Sequence, residues 1–315
     1  MHRLLYKYSF DIRWVDILDS WNPGPTIWIS ACTHWWEVVW LDVIDKLCID
    51  FELKKRLTRW KVALILTNID AYKMYLYKKI LSNEEEGLSP KDIIDCRFIE
   101  ENLNRCCTEE KIEQWLTSET KRVRSLMPIL KELDILFDIH STSTPSESMS
   151  IITNKSRSLV LQNLNVDKHL CGVTQVQVWK PFIDVVERVW GIWIGIECWC
   201  QFDETGYKIW TENSIRLLRW IDMVEDSLDF ISILGDKKEN RLLDIYWSLM
   251  IKNANYRTSR DYRHLDIIKK WENIWFDWEN ELIAARDSLI LMPKPKWADI
   301  NKLIWEEWWF LATLN

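Results

Sequence analysis

The sequence predicts an α/β fold with a largely parallel or mixed sheet, on three observations. Short apolar runs rich in Ile, Val and Leu recur between turn residues. Longer stretches with helical spacing separate them. At 315 residues the chain is also long enough to bury a large core and carry a small second unit beside it.

The strand-like runs are residues 26–30, 62–67, 135–139 and 192–197. After Glu37, the apolar positions Val39, Val43 and Leu47 recur every four residues, which is one face of a helix. Later, Ile215, Leu218, Ile221, Val224, Leu228 and Ile231 recur every three or four and predict one long helix. Loops are signalled at 83–92 and 141–148, and the charged break at 235–240 suggests a boundary. The chain is accordingly divided into residues 1–236 and 237–315. The second part is mixed in pattern, with a strand-like "SLIL" before a proline turn. There is no internal repeat and no low-complexity tract.

Charge and cysteines narrow the function classes. The net charge is −7 and no basic run or face appears, which argues against nucleic acid as a partner. The N-terminus has no apolar signal-like stretch, and no run approaches the ~18 apolar residues of a membrane span. The eight cysteines (32, 48, 96, 106, 107, 171, 198 and 200) lack the spacing of a zinc ribbon or a disulfide framework. They are expected to be reduced and mostly buried, in the cytoplasm. Cys198 and Cys200 are separated by one residue rather than the two of a redox motif, which favours coincidence.

Tryptophan is in excess where glycine is missing. The chain has 22 Trp and 7 Gly, against roughly 22 Gly expected from an average usage of about 7%. Many indoles stand where small residues belong: Trp21 in a turn-rich stretch, Trp60 just before a strand, and Trp alternating with Gly in "GIWIGIECWC". Many of these positions are therefore expected to be glycine in the natural protein, as a gene using UGA for glycine would give when read with Trp. TGG codons at 35, 36 and 40 would refute this. Trp115 fits an amphipathic helix pattern and is the best candidate for a genuine tryptophan.

Four elements could carry chemistry. His34 and Glu37 follow the first predicted strand, where ligands gather in open α/β sheets. Imidazole and carboxylate are both good zinc ligands, and three-residue spacing lets both reach one ion. His140, in "DIHSTST", ends another strand and should emerge at the same sheet edge. Two His and one Glu leave a fourth zinc position open, the catalytic arrangement. "RFIEENLNR" offers Arg97 and Arg105, with Asn104 beside the second, and guanidinium pairs bidentately with carboxylate. It could equally be a solvated charged segment. Glu197 ends a very apolar strand and is either a paired structural acid or a general base raised in pKa by burial. His2, His169 and His264 read as surface or packing residues.

In this order and spacing the four elements resemble the succinylglutamate desuccinylase/aspartoacylase family of the zinc carboxypeptidase superfamily, over about residues 26 to 235. The matching stretches are Cys32-Thr33-His34-Trp35-Trp36-Glu37, Arg97 through Arg105, Asp138-Ile139-His140-Ser141-Thr142 and Gly195-Ile196-Glu197-Cys198-Trp199. Two family glycines fall on Trp35 and Trp199, where indole would overpack the site.

The resemblance implies a mixed central sheet flanked by helices, with a small β-rich C-terminal domain that caps the active site. It implies a zinc-dependent amidohydrolase that removes an acyl group, succinyl or acetyl, from an N-acyl amino acid. His34, Glu37 and His140 would hold one zinc ion per chain. Glu197 would be the general base toward a zinc-activated water, Arg97 would stabilise the oxyanion, and Asn104 with Arg105 would bind the substrate's α-carboxylate. The family's acid before L-N-R is Asn102 here. An amide oxygen can still accept the imidazole N–H that the acid would take, or Glu100 or Glu101 could substitute. Arg188 lies near the family's arginine for a substrate side-chain acid.

Two other readings remain at this point: a zinc metallocarboxypeptidase acting on short or cell-wall peptides, and, if the tryptophans are real, a non-catalytic aromatic-rich binder. A small-molecule substrate is the expected partner, neither nucleic acid nor a membrane is, and homo-oligomerisation is left open.

Overall fold

The computed structural model describes residues 15–34, 39–81, 98–142, 146–177, 180–188, 191–200, 204–251, 255–276, 281–293 and 307–314. Of the expected features, Glu37, Arg97, Trp35, Trp36 and the loop 83–92 lie outside them.

The strands are β1 (Val15–Asp19), β2 (Thr26–Ala31), β3 (Lys61–Leu66), β4 (Ile135–Thr142), β5 (Met149–Ile152), β6 (Lys168–Cys171), β7 (Ile192–Cys200) and β8 (Arg241–Met250). They are followed by β9 (Arg257–Thr258), β10 (Ile267–Ile268), β11 (Asn273–Phe276), β12 (Glu281–Ile283), β13 (Ser288–Leu291) and β14 (Glu307–Leu314). The main helices are α1 (Val39–Asp45), α2 (Ile69–Leu81), α3 (Glu109–Gln114), α4 (Ser118–Leu130), α5 (Arg157–Asn163), α6 (Phe182–Arg188), α7 (Glu204–Trp220) and α8 (Leu228–Ser232).

One 11-stranded sheet runs β1-β3-β2-β4-β7-β5-β6-β8-β14-β13-β10, and a three-stranded sheet runs β12-β11-β9. The block β3-β2-β4-β7 is parallel. β5 turns back against β7, and β6 and β8 run parallel to β5. The expected mixed sheet is thus present, and the four predicted strands are β2, β3, β4 and β7. They read as unbroken apolar runs because helices cover both faces. On one face Ile29, Phe137 and Ile194 pack with α1, α2 and α7. On the other, Leu136 and Trp193 pack with α4 and α6.

The long helix expected over 215–231 is two helices. α7 stops at Trp220, and Asp222 takes φ 55°, a left-handed turn that no helix continues through. Leu228 and Ile231 then start a separate short helix and are exposed, so the apolar spacing there did not report a buried face. Trp115 is the C-cap of α3 rather than part of its face; it is 43% exposed, with the Lys111 ammonium 4.3 Å from its ring centre.

From Arg241 onward every described element is a strand. β8 begins just after the loop 235–240 and pairs with β6, so β8, β14, β13 and β10 extend the main sheet, while β9, β11 and β12 form the small antiparallel one. Ile251, Ile268, Ile274 and Ile290 form a separate small core there. Among the described residues no helix is long and apolar enough to cross a membrane.

Candidate active site

The C-terminal ends of the parallel strands β2, β4 and β7 bring three of the candidate residues together. His34 follows β2 by three residues, and His140 and Glu197 are register partners on β4 and β7. In a strand, alternate residues share a face. Asp138 and His140 therefore point to the same side of β4, the side on which α4 and α6 pack.

The two imidazoles are 5.6 Å apart between ring centres, and both are nearly buried, at 7% and 6% exposure. Each is fixed from behind by an oxygen of the chain. His140 donates from Nε2 to Asp138 Oδ2 at 2.6 Å, and His34 donates from Nε2 to Asn102 Oδ1 at 3.2 Å. Asp138 is fully buried and also takes the Ser30 hydroxyl at 2.5 Å and the Thr33 hydroxyl at 3.5 Å. A buried carboxylate needs such a full set of donors. Sequence reasoning gave Asp138 no role; the i, i+2 spacing to His140 on a predicted strand was the signal for it.

Asn102 occupies the place expected of the family's acid, and its amide oxygen accepts from His34. The same oxygen takes the Asn104 N–H at 3.0 Å and caps the short 3₁₀ turn Leu103–Arg105. Glu100 and Glu101 are engaged elsewhere. Glu100 accepts from the Ser118 N–H, and Glu101 takes Lys111 Nζ at 2.8 Å and the Thr117 hydroxyl at 2.7 Å.

Asn104 Oδ1 accepts the Phe182 N–H at 3.0 Å, at the start of α6, and Arg105 donates from Nη1 to the Asn104 carbonyl at 2.8 Å. Arg188 is held by Asp184 at 3.5 Å and Glu109 at 3.4 Å, and also donates to the Cys107 carbonyl, so it serves to tie α6 to the 103–107 segment.

The pair fits a metal such as zinc: the rings are close, out of solvent, and each is oriented through its far nitrogen, the arrangement that ligating histidines adopt. Among the described residues no set of three or more His, Cys, Asp and Glu gathers as a metal site, the third expected ligand, Glu37, lying outside them.

The described cysteines 32, 48, 106, 107, 171 and 198 are all buried and none forms a disulfide. Burial, and then the neighbouring Glu197 charge, push the Cys198 thiol well up, so it is an inert packing group. His169, read from the sequence as a surface or packing residue, is buried and lies 2.6 Å from the Ser150 hydroxyl between β5 and β6.

Residues 23–166 match the succinylglutamate desuccinylase/aspartoacylase catalytic domain. No curated protein sequence matches the chain. Among solved structures, the chain is similar to a succinylglutamate desuccinylase from Vibrio parahaemolyticus, with a TM-score of 0.68, 16% identity, and coverage of 96% of this chain and 86% of that one. A succinylglutamate desuccinylase from Vibrio cholerae gives 0.68 at 13% identity, with 96% and 86% covered. An ectoine utilization protein from Ruegeria pomeroyi gives 0.61 at 12% identity, with 95% and 88% covered. These likenesses show a shared fold. Residues 23–166 of this chain thus match the catalytic domain of the succinylglutamate desuccinylase/aspartoacylase family, and the chain shares the fold of the solved structures named above.

Proposed function

We infer that this chain is a zinc-dependent amidohydrolase that removes an acyl group, succinyl or acetyl, from an N-acyl amino acid. One observation carries the reading. Two buried imidazoles, each backed by an oxygen of the chain, meet at the strand ends beside Glu197.

His34, His140 and Glu37 would hold one ion per chain. Each histidine donates its Nε2–H to the protein, so each would ligate through Nδ1. Bound there, zinc would supply Lewis acidity, acidifying water and polarising an acyl carbonyl. Glu197 takes the proton from the attacking water and passes it to the leaving amine. Arg97 steadies the negative charge that grows on the acyl oxygen. Asn104 and Arg105 bind the α-carboxylate, and their mutual bond, together with the anchoring of Asn104 on α6, holds them in place for it. The segment 237–315 is read as a cap that favours small substrates over long peptides. The proposed setting is the cytoplasm, with a small molecule rather than nucleic acid or a membrane as the partner.

Hydrolysis of a panel of N-acyl amino acids, with and without a zinc chelator, tests this. The expected result is chelator-sensitive amine release that falls by about 100-fold or more in Glu197→Gln. Release from short peptides alone would favour a carboxypeptidase instead. A folded chain that binds no zinc would overturn the reading.

A further inference from the structure

Glu119 has no solvent exposure and stands apart from the cluster described above. It lies in the first turn of α4. Its Oε1 accepts the Ile99 N–H at 2.7 Å and Asn68 Nδ2 at 3.4 Å. Its Oε2 accepts the N–H groups of Glu100 at 3.3 Å and Glu101 at 3.4 Å. Three consecutive backbone N–H groups converging on one carboxylate form an anion cradle.

Arg122, three residues on and so on the same face of α4, is also buried. It donates from Nε to the Thr67 carbonyl at 2.8 Å and from Nη2 to the Leu66 carbonyl at 2.7 Å, at the end of β3. From there the Thr67 and Asn68 N–H groups bond the carbonyls of Ala31 at 2.8 Å and Cys32 at 2.9 Å, directly before Thr33 and His34. One helix end therefore ties two loops together: the loop that carries Asn102 and the strand end that carries His34. Burial raises the carboxyl pKa of Glu119, and the bonds from Ile99, its own N–H, Glu100 and Asn68 oppose that rise. A buried carboxylate so heavily furnished with donors is built to stay in one place.

We propose that Glu119 is a positioning residue for His34: its carboxylate fixes the backbone of residues 99–101 and thereby sets Asn102 Oδ1 against His34 Nε2. The proposal rests on the reading of His34 as a zinc ligand only for its effect on zinc. Its effect on the imidazole does not require the metal.

The test compares the full chain with Glu119→Gln, Asn102→Ala and the double variant. The readouts are zinc affinity by chelator competition and the ring-nitrogen NMR signals of His34 in metal-free protein. Glu119→Gln is expected to weaken zinc binding about 10-fold, as loss of a ligand's supporting partner does. It should shift the His34 signals as Asn102→Ala does, and add little in the double variant. Glu119→Asp keeps the charge and should show a smaller change in the same direction, which covers the case in which the Gln variant does not fold. Unchanged zinc affinity with unmoved His34 signals, or full additivity with Asn102→Ala, would overturn the proposal and leave Glu119 as a loop staple. If the unaltered chain binds no zinc, the function proposed above fails, and this inference is decided by the His34 signals alone.

Discussion

At the scale of single residues, the tryptophans are the least comfortable feature of this chain. Trp21, Trp60 and Trp271 take φ values of 64°, 72° and 72°, a region glycine enters freely and other residues at roughly 1–2 kcal/mol. The Trp60 ring stands 0.9 Å from where a Cβ on Gly24 would be. The buried indole N–H groups of Trp28, Trp193 and Trp210 find no hydrogen-bond partner, although a buried tryptophan usually has one. These are the marks expected of positions shaped for glycine. Trp21 and Trp271 are 89% and 73% exposed, so removing them gives up little burial. Trp21→Gly and Trp271→Gly are each expected to raise stability by about 1 kcal/mol in urea denaturation; a loss at both would count against the glycine reading. Peptide mass mapping of protein from the native source should likewise return glycine rather than tryptophan at 21, 60 and 271.

At the scale of elements, β4 is the part whose sequence says most about the site. Its burial on both faces follows from the apolar run, and its period of two puts Asp138 behind His140. Asp138→Asn would leave an acceptor in place but remove the charge that holds the His140 tautomer. Zinc affinity is expected to fall about 10- to 100-fold with the fold retained, as measured by chelator competition and circular dichroism. Affinity equal to that of the unaltered chain would show that the neutral amide suffices at this position, as Asn102 does for His34. The ladder of β4 with β7 shifts register between His140 and Thr142, a kink of the kind that often re-aims side chains next to a site. Four strands of the central sheet were legible because burial on both faces leaves a plain apolar signature. β5 and β6 were not, since each has four residues and carries polar groups such as Ser150, Lys168 and His169 that only sheet neighbours make tolerable. The break between α7 and α8 was hidden for a different reason: spacing cannot register one left-handed residue at Asp222.

At the scale of the whole molecule, acid stability follows from the histidines outside the site. Burial lowers the pKa of His169 and of His264 from 6.5 to about 4. Between these values the unfolded chain binds protons that the folded chain does not, so stability falls as pH drops from 6.5 toward 4 and is unaffected by these groups above that window. Each histidine accounts for about 3 kcal/mol over the full window. Urea midpoints at pH 7 and pH 5 should differ accordingly, and equal midpoints would mean that neither histidine stays neutral in the fold. The sequence by itself determined the α/β class, the central strands and the order of the four chemical motifs, because burial period and motif spacing are local properties of the chain. Only the tertiary structure decided that Asn102 rather than Glu100 or Glu101 backs His34, that Asp138 backs His140, and that Glu119 and Arg122 bind the two loops together. Those contacts join residues 18 to 68 positions apart, or alternate along one strand, and no local pattern encodes which of several nearby acids will end up facing a given ring.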